Sequence, residues 1–143
     1  WRSTFNMAMS HGYSGTPLAK KLGMKPGFRV LVVGAPPGYE DLLAPIPAEV
    51  TFRGKAAPDI DLAHVFAVRR AMLVEHLRAL RQELGPAIPV WVSWPKKASR
   101  VPTDITEDTI RESALPMGYV DIKVCAVSEV WSGLKLVVRK ELR

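Results

Sequence analysis

The sequence predicts an α/β domain in three layers: a mostly parallel sheet with helices on both faces, ending in an antiparallel C-terminal hairpin strand. Three observations carry this. Arg29-Val30-Leu31-Val32-Val33 is an aliphatic run with a polar residue only at its start, the mark of a parallel strand covered on both faces. Strand-like runs then alternate with helical periodicity, which calls for right-handed crossovers. The last two runs, 120–127 and 134–140, stand too close together for a crossover and read as an antiparallel hairpin.

The elements follow in order. Thr16-Pro17-Leu18-Ala19-Lys20-Lys21-Leu22-Gly23 is punctuated as a short helix: Thr16 as cap, Pro17 at the first position, Gly23 at the left-handed exit. Leu18 and Leu22, four apart, share its buried side. Lys25-Pro26-Gly27 turns the chain into the first strand, which breaks at Gly34-Ala35-Pro36-Pro37-Gly38. A helix over 39–43 must stop before Pro45 and Pro47. Strands are expected over 49–53 and 60–68, with loop between them. The clearest helix is 71–84, where Leu73, Leu77, Leu80 and Leu84 form one stripe and Gly85-Pro86 ends it. A strand over 90–94 stops at Pro95. Thr106 then caps a helix whose first turn carries Glu107 and Asp108, and Pro116 and Gly118 end it. A turn is expected over 128–133, with Trp131 inside it.

A chain of 143 residues suits one domain, taken as 15–143. Residues 1–14 lack the continuous apolar core of a signal peptide. They read as a flexible leader or vector-derived remnant, with Met7 or Met9 as the natural start. No apolar run approaches the ~20 residues that cross a bilayer. One cysteine excludes an internal disulfide framework and fits a reducing, cytoplasmic compartment. Cys125 lies on a strand pattern and reads as a small buried residue. His11, His64 and His76 stand apart, which gives no metal-ligand spacing; His64 reads as a hydrogen-bonded core residue.

The net charge of +6 favours encounters with anions. The basic residues are scattered along the chain rather than gathered in a tail, so nucleic-acid binding is only a second alternative, and no membrane partner is expected.

The order of elements resembles the class I S-adenosylmethionine-dependent methyltransferase scaffold, a Rossmann-like fold. KLGMKPGFRVLVVG (21–34) is similar to the helix-turn-strand entry of those enzymes, and the closing helix, Met117-Gly118-Tyr119 and the strand after it are similar to the end of that fold. A narrower resemblance is to the bacterial family catalogued as domain of unknown function 3052. It rests on GYSGTPLAKKLGMKPG, WVSWPKKAS and KVCAVSEVWSGLKLVVRK. That family brings no established activity and no catalytic residues.

The methyltransferase resemblance implies S-adenosylmethionine at a glycine-rich loop after the first strand and an acidic residue at the end of the second. Gly34 and Gly38 match the loop, but Pro36 and Pro37 have no N–H to offer. The second strand ends in Arg53-Gly54, and the crossover that should hold a third strand is missing between Arg53 and Ile60. The loop therefore reads as a rigid turn, and no cofactor is expected from the residues alone.

The strongest candidate site is SWPKKASR, 93–100, at a strand exit where α/β sheets bind ligands. Trp94 is placed to stack on a base while Lys96, Lys97 or Arg100 meets phosphate. Arg69, Ser99 and Trp131 complete the candidate set. The leading expectation is a non-catalytic binding or regulatory module for an anionic small molecule, a nucleotide or phosphorylated ligand, or a protein partner. The alternative is an S-adenosylmethionine-dependent methyltransferase, or another small-molecule enzyme, with a degenerate loop at Gly34 and Gly38. No catalytic residue is assigned.

Overall fold

The computed structural model describes residues 15–143; the expectation for 1–14 lies outside them. Six strands form one sheet: β1 (Arg29–Val33), β2 (Thr51–Arg53), β3 (Leu62–Phe66), β4 (Val90–Pro95), β5 (Tyr119–Ala126) and β6 (Trp131–Val138). Their order is β2-β1-β3-β4-β6-β5. β2, β1, β3 and β4 run parallel, while β6 is antiparallel to both β4 and β5. The hairpin thus inserts its second strand between its first strand and the parallel sheet.

Helices α1 (Leu18–Lys21), α2 (Tyr39–Leu43), α3 (Arg70–Glu83) and α4 (Glu107–Ala114) supply the other layers. Leu73, Leu77 and Leu80 of α3 and Ile110 of α4 bury against Leu31, Val65 and Val92 on one face. Leu18 and Leu22 pack with Leu43, Val30, Leu62 and Trp91 on the other. Strand alternation makes both layers possible, because successive side chains of β1, β3 and β4 enter opposite faces. The buried Trp91 indole N–H donates to the Leu22 carbonyl at 2.9 Å, fastening the entry of the fold to its central strand.

β2 and β3 are shorter than the expected 49–53 and 60–68, and two further elements differ from expectation. The first helix begins at Leu18, with Pro17 rather than Thr16 as the capping residue. Trp131 lies in β6, not in the turn. Ser128 Oγ accepts from the N–H groups of Val130 and Trp131, and the Trp131 carbonyl accepts from those of Val127 and Ser128. These bonds close the turn early, so Trp131 is free to pair with Pro95.

The short passage from β2 to β3 crosses β1 with no helix or strand of its own, and β2 is left as a sheet edge of three residues. So brief an edge offers little template for further pairing. Among the described residues, no helix is long and apolar enough to cross a membrane.

Candidate functional site

β1 and β3 are neighbours whose onward connections leave in opposite directions, to β2 and to β4. Such a switch point opens a crevice at the carboxyl ends of the strands. Gly34 makes it possible here. Its φ is +71°, and a Cβ at this position would stand 2.8 Å from the Phe66 carbonyl oxygen of β3. Only glycine permits both the turn and that approach. Gly38, at φ +79°, starts α2 and faces open space.

Between this loop and β2 lies a cleft of about 380 Å³, walled by Val32, Tyr39 and Phe52 and rimmed by Pro36, Gly38, Glu40 and Asp41. Its charged groups are carboxylates. Arg53, the next residue along β2, is instead ion-paired with Asp59 at 3.2 Å. Asp59 and Asp61 serve the strand entries: the Arg29 backbone N–H donates to Asp61 at 2.7 Å, with its guanidinium at 3.2 Å. That backbone bond first, then the guanidinium, holds the Asp61 carboxyl below its ordinary range.

A buried polar chain underlies the loop. Tyr39 Oη is hydrogen-bonded to His64 Nδ1 at 2.8 Å, and His64 Nε2 to Ser93 Oγ at 2.7 Å. His64 and Ser93 are fully buried. Burial pushes the imidazole pKa down to about 3 and raises that of the Tyr39 phenol. A neutral imidazole donates at one nitrogen and accepts at the other, and two hydroxyls can meet both needs. His64 also stacks on Phe66, with centroids 4.3 Å apart. The chain therefore ties α2 to β3 and β4 under the cleft, with both ring nitrogens of His64 engaged.

A second cavity, about 450 Å³, opens at the exit of β4 and is lined by Trp94, Pro95, Lys97, Thr103, Ile105, Thr106 and Glu107. The loop before α4 is drawn over it. Thr103 Oγ1 donates to the Val68 carbonyl at 2.6 Å, and Asp104 accepts from the Arg70 N–H at 2.7 Å.

The structure brings Trp94 and Lys97 together around this cavity. Ser99 Oγ is taken up locally, donating to the Lys96 carbonyl at 2.6 Å and accepting from Val101 N–H at 3.2 Å. The Lys96 N–H donates to the Val130 carbonyl. Arg69 stands exposed at the start of α3. Trp131 packs edge-on against Phe66, on the sheet face opposite the core that holds Trp94. Cys125 is half-buried on β5, and burial raises its thiol pKa. Among the described residues, no three His, Cys, Asp or Glu side chains are grouped to hold a metal ion.

Sequence reasoning read His64 as a hydrogen-bonded core residue, which it is, but missed its partners Tyr39 and Ser93 and the Asp104 cap. Partners 25 to 34 residues apart leave no local spacing to find. It read Glu40 and Asp41 only as a helix start; that they rim a cleft depends on where β2 falls.

No protein-family model matches the chain, and no curated protein matches it in sequence. Solved structures do match in fold. A SAM-dependent methyltransferase from Aquifex aeolicus aligns over 85% of this chain and 88% of its own, at 13% identity and a TM-score of 0.63. An S-adenosylmethionine-dependent methyltransferase from Mesorhizobium loti aligns over 83% and 94%, at 12% identity and a TM-score of 0.58. The chain spans 65% of the length of a possible exported protein from Bordetella parapertussis, aligning over 83% of itself at 12% identity and a TM-score of 0.58. The fold is therefore the Rossmann-like fold of class I methyltransferases.

Proposed function

We propose that the protein is an S-adenosylmethionine-dependent methyltransferase with an unconventional cofactor loop, the cofactor lying in the cleft between that loop and β2. The observation that carries this reading is the cleft at the switch point, with two carboxylates on its rim, in a fold shared with S-adenosylmethionine-dependent enzymes. The residues fit an adenosyl group in kind. Val32 and Phe52 offer apolar walls for adenine, Gly38 leaves the approach open, and Glu40 or Asp41 can accept from ribose hydroxyls in charge-assisted bonds. Carboxylates on α2 would then replace the missing acid at the end of β2. The bound cofactor supplies an activated methyl group on a sulfonium. The chain's part is to hold that group and shield it. Membership of the domain of unknown function 3052 family belongs to this proposal, supported by the three sequence stretches quoted above.

Pro36 and Pro37 favour a second reading, a module that binds an adenosyl or anionic ligand without turnover, because they remove two N–H donors from the loop. Titration calorimetry with S-adenosylhomocysteine and S-adenosylmethionine tests the site. Binding is expected, weakened at least tenfold in Glu40→Ala/Asp41→Ala at unchanged melting temperature; no heat with either ligand overturns the cofactor reading. Binding without methyl transfer to any of a panel of small acceptors supports the second reading.

A further inference from the structure

We propose that the cavity at the exit of β4 binds a small carboxylic acid with an apolar body, its carboxylate accepting from the Trp94 indole N–H and the Lys97 ammonium. The argument begins with an unmet donor. Trp94 lines the cavity with only 7% of its surface exposed, and its Nε1–H meets no acceptor among the described residues. Trp91, fully buried and three residues earlier, does donate, to the Leu22 carbonyl. Buried indole N–H groups find partners as a rule, because an unmet donor forfeits its hydration.

The other polar groups of the cavity are engaged. Thr103 Oγ1 donates to Val68 and accepts from the Ile105 N–H. Thr106 Oγ1 accepts from the Thr109 N–H in the cap of α4. Glu107 is held by Arg111, which also pairs with Asp108 and Asp121. Lys97 is the one cation on the lining and has no ion pair among the described residues, while the Glu107 carboxylate shares a single guanidinium with Asp108 and Asp121. That balance selects a monoanion over a phosphate dianion, which needs more donors. Trp94, Pro95 and Ile105 supply walls for an apolar body, and 450 Å³ lies within the usual range of small-molecule pockets, about 300–1,000 Å³.

The test uses the full chain, ¹⁵N-labelled, titrated with phenylacetate and with its neutral analogue phenylacetamide. Phenylacetate is expected to move the Trp94 indole N–H resonance downfield and to bind at least tenfold more tightly than the amide. Lys97→Gln, at an exposed position, is expected to abolish that discrimination. Trp94→Phe, which keeps a ring without a donor, is expected to weaken phenylacetate about tenfold, as the loss of one charge-assisted bond implies. An unmoved indole resonance at saturating millimolar phenylacetate overturns the proposal, as does equal affinity for acid and amide. So does discrimination that survives Lys97→Gln. Glu40→Ala/Asp41→Ala should leave phenylacetate binding intact, which separates this site from the cofactor cleft.

Discussion

The Asp104 carboxylate accepts a hydrogen bond from the backbone N–H of Arg70 at 2.7 Å, so the first turn of α3 is capped by a residue 34 positions downstream. The local capping residue, Arg69, has no side chain able to accept. Asp104 thus replaces a local cap with a tertiary one, next to the Thr103–Val68 bond that fastens the same loop to the turn after β3. Asp104→Ala is expected to cost about 1 kcal/mol, the usual loss for a removed cap. Asp104→Asn, which keeps an acceptor, should cost less. Urea denaturation read by circular dichroism checks both, and equal stability of Asp104→Ala and the parent protein would show the bond to contribute nothing.

The buried imidazole predicts a pH dependence. His64 has its pKa near 3 in the folded chain and an ordinary value of 6.5 once exposed. Below pH 6.5 the unfolded state takes up a proton that the folded state refuses. The His64 contribution is therefore complete above pH 6.5 and is lost as the pH falls toward 3, with a limiting slope of about 1.4 kcal/mol per pH unit. His64→Leu, although less stable at neutral pH, should lose less stability on acidification from pH 6.5 to 4.5. Parallel stability curves for the two proteins would contradict the assignment.

Tyr39→Phe removes one hydroxyl from the same chain and leaves His64 Nδ1 without its partner. The expected cost is about 1–3 kcal/mol, the penalty for a buried polar group left unmet. Because Tyr39 also walls the cleft, the variant should weaken any ligand of that cleft while sparing the β4-exit cavity. Melting temperatures and titrations on one preparation separate the two effects.

How much of this was legible in sequence follows from the range of each cause. β1, α2 and the start of α4 lie where aliphatic runs, prolines and a threonine cap placed them, because those signals act within a few residues. The absent third strand was legible too, since the stretch from Arg53 to Ile60 is too short to hold it. Trp131 was misplaced because Ser128 shortens the turn through bonds that composition does not reveal. The candidate site was legible only in part. SWPKKAS marked the exit of β4, but the cavity beside it exists because Thr103 and Asp104 return to the turn after β3 and to α3 across more than thirty residues. The carboxylates of the cleft were visible as residues and invisible as a rim.

Gly34 is open to a direct test of the switch-point loop. A methyl group there would stand 2.8 Å from a backbone oxygen, on a residue already at φ +71°. The backbone cannot yield as a flexible side chain could, so β1 and β3 must separate at their carboxyl ends. Gly34→Ala is expected to destabilise by more than the roughly 1–2 kcal/mol that a left-handed conformation alone costs, and to abolish adenosyl binding in the cleft. Gly38→Ala, with open space around it, should show the conformational cost alone. Similar stabilities for the two variants would deny the close approach its role.

Arg100 offers the opposite sign. It stands exposed in the left-handed region at φ +62°, ψ +12°, ending the short 3-10 turn Lys97–Ser99, with its N–H donated to the Lys97 carbonyl at 3.2 Å. No side-chain bond of Arg100 is present among the described residues to offset that conformation. Left-handed backbone costs an L-residue roughly 1–2 kcal/mol and costs glycine little. Glycine also has more freedom to lose from the unfolded chain, which takes back part of the gain. Arg100→Gly is therefore expected to stabilise the protein by up to about 1 kcal/mol, raising the melting temperature by a few degrees. Arg100→Ala, which keeps the Cβ, should do neither. A gain in Arg100→Ala equal to that in Arg100→Gly would trace the effect to lost positive charge at the β4 exit instead of to backbone strain. Carrying both variants into the phenylacetate titration decides whether that charge reaches the cavity, since relief of strain alone leaves the affinity unchanged.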